Sequence, residues 1–363
     1  MSLKARIDEV IDAALGHRIV GGVILVNEKG KPSYERAFGY FDREANVPMP
    51  KGAIFRYSSL TKPFVATATL RMTDSGLLRL DDPVTKYLPF FTPAAPDSAQ
   101  PAISIRQLLT HTSGLSYGSV PAVVAARFDD PGMSLEVSLR GLATVPLGFC
   151  PGKGWAYGMS MDVLGGVLAA IAGRSLGAII IEHVTAPLGI QGAQFHLSLS
   201  KGVALPYADG RPPHLMADPE TVIGRDGSVT FSPSRIFNAK VPHTGGSGMA
   251  GTAQDMMKLL EVYQPGSTFL REETRRLALT NQINVPRPND PGRGFGLIGS
   301  FTFDSAAART PCSNGSTDWG GVYGHSWIVD PIRRISMVSC TNTALEGCLG
   351  TFPTEIRDAI FAT

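Results

Sequence analysis

Phe55-Arg56-Tyr57-Ser58-Ser59-Leu60-Thr61-Lys62-Pro63-Phe64 is the stretch whose reading decides the fold. It carries Ser59 and Lys62 in the order S-x-x-K. An apolar run from Phe64 to Met72 follows at helical spacing, with Phe64, Ala68 and Met72 on one face, and Gly76 closes it. The spacing predicts Ser59 in the first turn of a helix. Pro63 is tolerated there because first-turn N–H groups have no intrahelical partner. Three residues make nearly one turn, so the Ser59 hydroxyl and the Lys62 amine project from the same face. A serine is a poor nucleophile until a base takes its proton, and a lysine can be that base only when neutral. A helix N-terminus also aims free N–H groups at developing negative charge. Alone, the pair is common in long chains, and the rest of the sequence has to decide.

With 363 residues the chain can form one large core or two domains. Net charge is +2 and no basic block stands out, which argues against nucleic acid as a partner. Apolar residues make up 43%, with 40 Gly and 27 Pro, as in a globular, loop-rich protein. No apolar run reaches membrane-spanning length; the most apolar helical stretch, Val163 to Ala172, is short and holds two glycines. Met1 to Ile7 lacks a signal-peptide core, which predicts a cytoplasmic chain, or a periplasmic one if a leader has been removed. Cys150, Cys312, Cys340 and Cys348 form no C-x-x-C and have no His cluster beside them, so they read as reduced, mostly buried thiols.

Upstream of Ser59, Leu3, Ile7, Val10, Ile11, Ala14 and Leu15 mark an amphipathic helix. Val20–Val26 and Ser33–Tyr40 read as strands around a turn at Asn27-Glu28-Lys29-Gly30. Downstream, Asp81-Asp82-Pro83 is a helix-start signal, and Phe91–Pro101 is a Pro/Ala-rich loop. Ser104 to Gln107 has capping-box spacing before Leu108-Leu109-Thr110-His111. Gly114-Leu115-Ser116-Tyr117-Gly118 matches G-x-S-x-G, but that elbow needs a strand before it and a helix after it. Here a helix precedes and Ser119-Val120-Pro121 follows, so a glycine-rich turn is the better reading. Tyr157 stands just before the apolar helix Met161–Ala172, as packing or as a second titratable group beside a Ser/Lys pair. Ser175 caps a helix running to Pro187. Pro206–Pro242 is polar and weakly periodic, a loop or wall. Thr252 caps a helix through Leu260. Phe295–Phe303, Gly324–Val329 and Arg334–Thr341 read as strands, and Pro353–Phe361 as a closing helix. Strands at both ends with helices between them predict an α/β (α+β) fold. Its sheet is built from both termini, with a helical insert between them.

These residues together resemble the serine β-lactamase / penicillin-binding protein superfamily, and within it the family VIII carboxylesterases related to class C β-lactamases. The matching pieces, in the family's order, are Ser59-Leu60-Thr61-Lys62; Gly76 to Pro83; Leu108 to Leu115; Pro151-Gly152 with Trp155 and Tyr157; Gly245-Gly246-Ser247-Gly248-Met249; and Trp319-Gly320-Gly321-Val322-Tyr323-Gly324. The resemblance implies an antiparallel sheet flanked by helices, formed by residues 1–58 and 245–363. It also implies a mostly helical domain over 59–244, with the site between the two. Ser59 is expected to be acylated, with Lys62 and Tyr157 as base. The backbone N–H groups of Ser59 and Val322 are expected to form the oxyanion hole. Trp319-Gly320-Gly321 stands where β-lactamases have K-T-G. No metal or cofactor is implied.

Two departures bear on substrate. Gly158-Met159 lacks the asparagine that contacts a β-lactam amide, and Trp319 replaces a lysine that would hold a carboxylate. Both favour a serine carboxylesterase for small or bulky neutral esters. A β-lactamase, D-amino-acid amidase, DD-peptidase or acyltransferase of the same superfamily is the alternative, and a non-catalytic binding member a third reading. The partner is then a small-molecule ester or amide. Trp155, Trp319, Tyr323 and Trp327 are candidate aromatic walls or ordinary packing, and His325 either faces the cleft or is a plain strand histidine.

Overall fold

The computed structural model describes residues 1–97, 102–224 and 227–362. Residues 98–101 of the expected 91–101 loop and residues 225–226 of the 206–242 segment lie outside them. The chain begins with α1 (Leu3–Ala14), β1 (Gly21–Glu28), β2 (Lys31–Asp42), β3 (Val47–Pro48) and β4 (Ile54–Arg56). The helical portion follows: α2 (Thr61–Asp74), α3 (Ile105–Leu109), α4 (Ala122–Ala125), α5 (Leu135–Leu142), α6 (Ser160–Ala172) and α7 (Leu176–Ile180). Two small hairpins come next, β5 (Tyr207–Ala208) with β6 (His214–Leu215), and β7 (Glu220–Gly224) with β8 (Gly227–Phe231). Then come β9 (Ala250–Thr252), α8 (Ala253–Glu261), α9 (Glu272–Ala278), β10 (Arg293–Phe295), β11 (Ser300–Thr302), β12 (Thr317–Gly321), β13 (His325–Asp330), β14 (Ile335–Thr341) and α10 (Phe352–Phe361).

Eight strands form one antiparallel sheet in the order β10-β11-β12-β13-β14-β1-β2-β3. The two ends of the chain meet where β1 pairs with β14, Val23 opposite Cys340 and Leu25 opposite Val338. Both faces of β1 are buried, which explains the unbroken apolar run at 23–26. Ile24 and Val26 pack with Ile328 and Met337 under α1 and α10, through Ile7, Ile11, Phe352 and Ile356. Val23, Leu25, Trp327, Val329 and Val338 face the other way, into a single cluster that continues through Phe64, Leu108 and Leu164. Sheet and helices thus share one core.

α2 is buried all round, from Thr61 to Leu70 and again at Met72, and it forms the axis of that core. Its threonines are accommodated by bonding back one turn: Thr67, Thr69 and Thr73 each donate to the carbonyl four residues earlier, at 2.7 to 2.9 Å. Ser104 and Gln107 form the expected capping box, and Thr252 forms another with Asp255. All four cysteines are free thiols.

Two local expectations differ from the structure. The stretch 295–303 is not one strand: Gly296 N–H bonds to the Gly299 carbonyl at 2.8 Å, folding it into a hairpin of β10 and β11. The segment 206–242 contains the β5–β6 and β7–β8 hairpins. Their strands of two to five residues are too short to leave a period-2 pattern.

Candidate active site

β4 pairs with β9, and Tyr57 N–H bonds to the Met249 carbonyl at 2.8 Å, so the residues before Ser59 are fixed to the segment after Gly245. Ser58 then takes φ +48°, a left-handed conformation that costs a non-glycine residue on the order of 1 kcal/mol or more. Ser59 follows in a 3-10 turn, Ser58–Leu60, that runs directly into α2. The strain sits one residue from the candidate nucleophile and turns Ser59 toward a cavity of about 1170 Å³, which Ser59 lines.

Ser59 Oγ has two partners. Lys62 Nζ donates to it at 3.2 Å and the Tyr157 hydroxyl at 2.9 Å. Lys62 is 5% exposed, lies 4.6 Å from the centre of the Tyr157 ring, and donates to the Gly246 carbonyl at 2.7 Å. Tyr157 is held by Trp319, whose Nε1–H donates to its oxygen at 3.2 Å, and its ring lies 4.6 Å from that of His111. Tyr157, Trp319, Trp155, Val322 and Tyr323 all line the cavity. Trp155 packs 5.6 Å from Phe295, which in turn packs on Trp319.

Gly321 brings β12 against the Ser59 turn. A Cβ there would meet the Tyr57 carbonyl at 2.5 Å and Leu60 at 2.9 Å, so only glycine permits the approach. The strand then runs into Val322, which lines the same cavity as Ser59. Among the described residues, β12 has no strand partner on its β11 side beyond Asp318, and Trp319 and Gly320 line the cavity.

Burial governs the electrostatics. His111 is pushed well below its ordinary pKa by burial and by the charges of Lys62 and Arg287, so the ring is neutral. Asp162, 3% exposed, is raised by burial, against the pull of Lys62 and of the Gly246 N–H that it accepts at 2.9 Å. Gly246 is therefore clamped on both sides, its N–H on Asp162 and its carbonyl on Lys62.

Two expected site residues are elsewhere. His325 is 1% exposed and does not line the cavity; its Nε2 shares a hydrogen with the Arg56 carbonyl at 2.8 Å, and burial pushes it down to about 4. It is a core residue that ties β13 to β4. Gly321 also does not line the cavity, because its face is filled by the Ser59 turn. Trp327 is fully buried and supplies packing. Ser116 caps the turn Tyr117–Ser119, accepting from Gly118 N–H at 3.1 Å, and among the described residues no basic side chain bonds to it. Met159, at the position of the missing asparagine, is buried in the main core.

Asp162, His111 and Arg287 were not singled out from the sequence. Asp162 had a signal, being an acid inside the apolar helix Met161–Ala172. His111 lies inside the Leu108–Leu115 motif without a recognisable partner nearby in sequence. Arg287 had none, since it comes from a Pro- and Asn-rich loop.

The sequence matches the Beta-lactamase family over residues 7–349. It is 41% identical to Esterase EstB of Burkholderia gladioli, over 99% of this chain and 96% of that protein. Among solved structures, EstCE1, described as a hydrolase with promiscuous acyltransferase activity, superposes with a TM-score of 0.94 at 38% identity, covering 99% of this chain and 98% of that one. Simvastatin synthase (LovD) from Aspergillus terreus superposes with a TM-score of 0.78 at 22% identity, over 100% of this chain and 98% of that one, which is a likeness of fold alone.

Proposed function

The chain belongs to the β-lactamase family and is an enzyme of the serine hydrolase type, and we propose that it works as a carboxylesterase on neutral esters through an acyl-enzyme at Ser59. The observation that carries this reading is the convergence of Lys62 and Tyr157 on Ser59 Oγ, at 3.2 and 2.9 Å. Acting as the phenolate with Lys62 beside its ring, Tyr157 takes the Ser59 proton as Oγ bonds to the ester carbonyl carbon. The carbonyl oxygen becomes an oxyanion and is received by the Ser59 and Val322 N–H groups. The C–O bond to the alcohol breaks, and the alcohol leaves with the proton from Tyr157. Water then loses a proton to the same group and attacks the acyl carbon, releasing the acid and restoring Ser59.

Substrate polarity follows from the walls. Trp319 fills the place of a lysine, and Trp155, Tyr157 and Tyr323 add aromatic surface, so an uncharged acyl or alcohol group fits better than a carboxylate. Acyl transfer to an added alcohol is the second reading, favoured by the same aromatic walls, which disfavour water relative to an organic acceptor.

The test compares p-nitrophenyl acetate and butyrate with nitrocefin on the purified protein, with Ser59→Ala as control. Rapid Ser59-dependent ester turnover with little nitrocefin cleavage is expected. Preferential nitrocefin turnover would overturn the substrate assignment, and ester turnover that survives Ser59→Ala would overturn the mechanism.

A further inference from the structure

Behind Trp319 stands a cation. Arg287, in the loop between α9 and β10, has a side chain only 8% exposed. Its Nη2 pairs with Asp290 at 2.6 Å, and its Nη1 donates to the Gly294 carbonyl and the Ser300 hydroxyl. The guanidinium carbon lies 4.6 Å from the Trp155 ring centre, 5.7 Å from that of Trp319 and 5.8 Å from that of Phe295. Burying a guanidinium among three rings is costly unless its planar fork and charge are both used. Of the two indoles it approaches, Trp155 is the nearer, and Trp319 is the one whose Nε1–H donates to Tyr157.

A cation against an indole ring draws electron density from it, which makes the N–H a stronger donor. The contact also restrains the ring, and so the direction of that N–H. We infer that Arg287 is a positioning residue of the Ser59 site, holding and polarising the Trp319 indole so that its Nε1–H supports the oxygen of Tyr157. The inference rests on the reading of Tyr157 as the group that takes the Ser59 proton.

The surrounding charges favour contact over a long-range field. Arg287 is faced by Asp290 from its own loop, Arg293 from β10 and Asp318 from β12, and Arg293 pairs with Asp318. Two cations and two anions nearly cancel at a distance. Tyr157 itself is faced by Lys62 from α2, by His111 from the turn after α3, by Tyr117 and by Trp319. Trp319 is in ring contact with Tyr157 and also lies next to Arg287.

The experiment is a double-mutant cycle of Arg287→Met and Trp319→Phe, with p-nitrophenyl butyrate as substrate and active sites counted by fluorophosphonate titration. The titration removes any loss of folded protein from the comparison. Arg287→Met is expected to lower kcat about 10- to 100-fold with little change in KM, and to move the acid limb of kcat/KM to higher pH. Arg287→Lys, which keeps the charge but not the planar fork, should fall between. In the Trp319→Phe background, which has no N–H to polarise, Arg287→Met should add less than about threefold. An unchanged kcat and acid limb in Arg287→Met, or the same loss in both backgrounds, would overturn the inference by reducing Arg287 to a loop tether. If Arg287→Met does not fold, Arg287→Lys completes the cycle. Absence of Ser59-dependent turnover in the unmutated enzyme would count against the esterase reading instead.

Discussion

Gly246→Ala perturbs the site without replacing any titratable group. A Cβ on residue 246 would stand 2.5 Å from Asp162 Oδ2 and 2.8 Å from Oδ1. That is about 0.9 Å short of ordinary contact, which starts near 3.4 Å. Asp162 cannot swing away, since it is 3% exposed and bonded to the Gly246 N–H. The backbone at 246 must therefore move, and its carbonyl is what holds Lys62 Nζ at 2.7 Å. A shift approaching 1 Å takes that bond to the edge of hydrogen-bonding range and carries the amine off Ser59 Oγ. Misplacement of about 1 Å in a reacting constellation costs on the order of 10²-fold in rate, while overpacking costs about 1–3 kcal/mol of stability. Initial rates with p-nitrophenyl butyrate, normalised by active-site titration, and urea unfolding separate the two effects. The expected result is a folded enzyme with kcat lowered about 100-fold and KM little changed. A Gly246→Ala enzyme turning over within threefold of the unmutated rate would refute the idea that the Gly246 carbonyl positions Lys62.

Tyr157→Phe keeps the ring contacts with Lys62, His111 and Trp319 but removes the oxygen bonded at 2.9 and 3.2 Å, so kcat should fall by about 10² to 10⁴. Leaving the Trp319 N–H unpaired should cost no more than about 1–3 kcal/mol in denaturant unfolding, and an unmutated rate would remove the role given to Tyr157. Ser116→Ala should leave ester turnover within about twofold, losing at most about 1 kcal/mol with its cap; a large loss of kcat would revive the G-x-S-x-G serine. His325 is held neutral, from the usual 6.5 down to about 4, so the unfolded chain binds the extra proton between those values. Its contribution to stability is present above pH 6.5 and is lost as pH falls toward 4, by roughly 3 kcal/mol. Urea unfolding should show that acid-side loss shrinking in His325→Gln, and an equal loss in both proteins would contradict it.

What the sequence made legible was local or strongly patterned. Ser59 and Lys62 lie within one turn, so their juxtaposition needs only helix geometry, although the turn itself is 3-10 and strained at Ser58. The first helix and the β1–β2 hairpin follow from apolar periodicity, and the caps at Ser104 and Thr252 from side-chain chemistry. Tyr157 and Trp319 reached the site only through the order of motifs, because nothing in local spacing brings residues 59, 157 and 319 together. The β10–β11 hairpin was hidden because its strands are only three residues each and the turn between them, Gly296-Leu297-Ile298-Gly299, carries apolar residues that read as strand. His325 was ambiguous for a physical reason: the residue after a site strand can point either way, and register decides. With Gly321 opposite His325 and packed on the Ser59 turn, the imidazole is carried into the core. Arg287 was invisible because its significance lies in three rings that meet only after folding.

The central claim is that Ser59 carries the acyl group, and it is tested most directly by trapping that species. The enzyme is mixed with excess p-nitrophenyl butyrate, quenched in acid within the first turnovers, digested and mapped by mass spectrometry. The account predicts one butyryl group on the peptide containing Ser59, absent after deacylation and absent from Ser59→Ala. A butyryl group on another serine, or full turnover by Ser59→Ala, would contradict it.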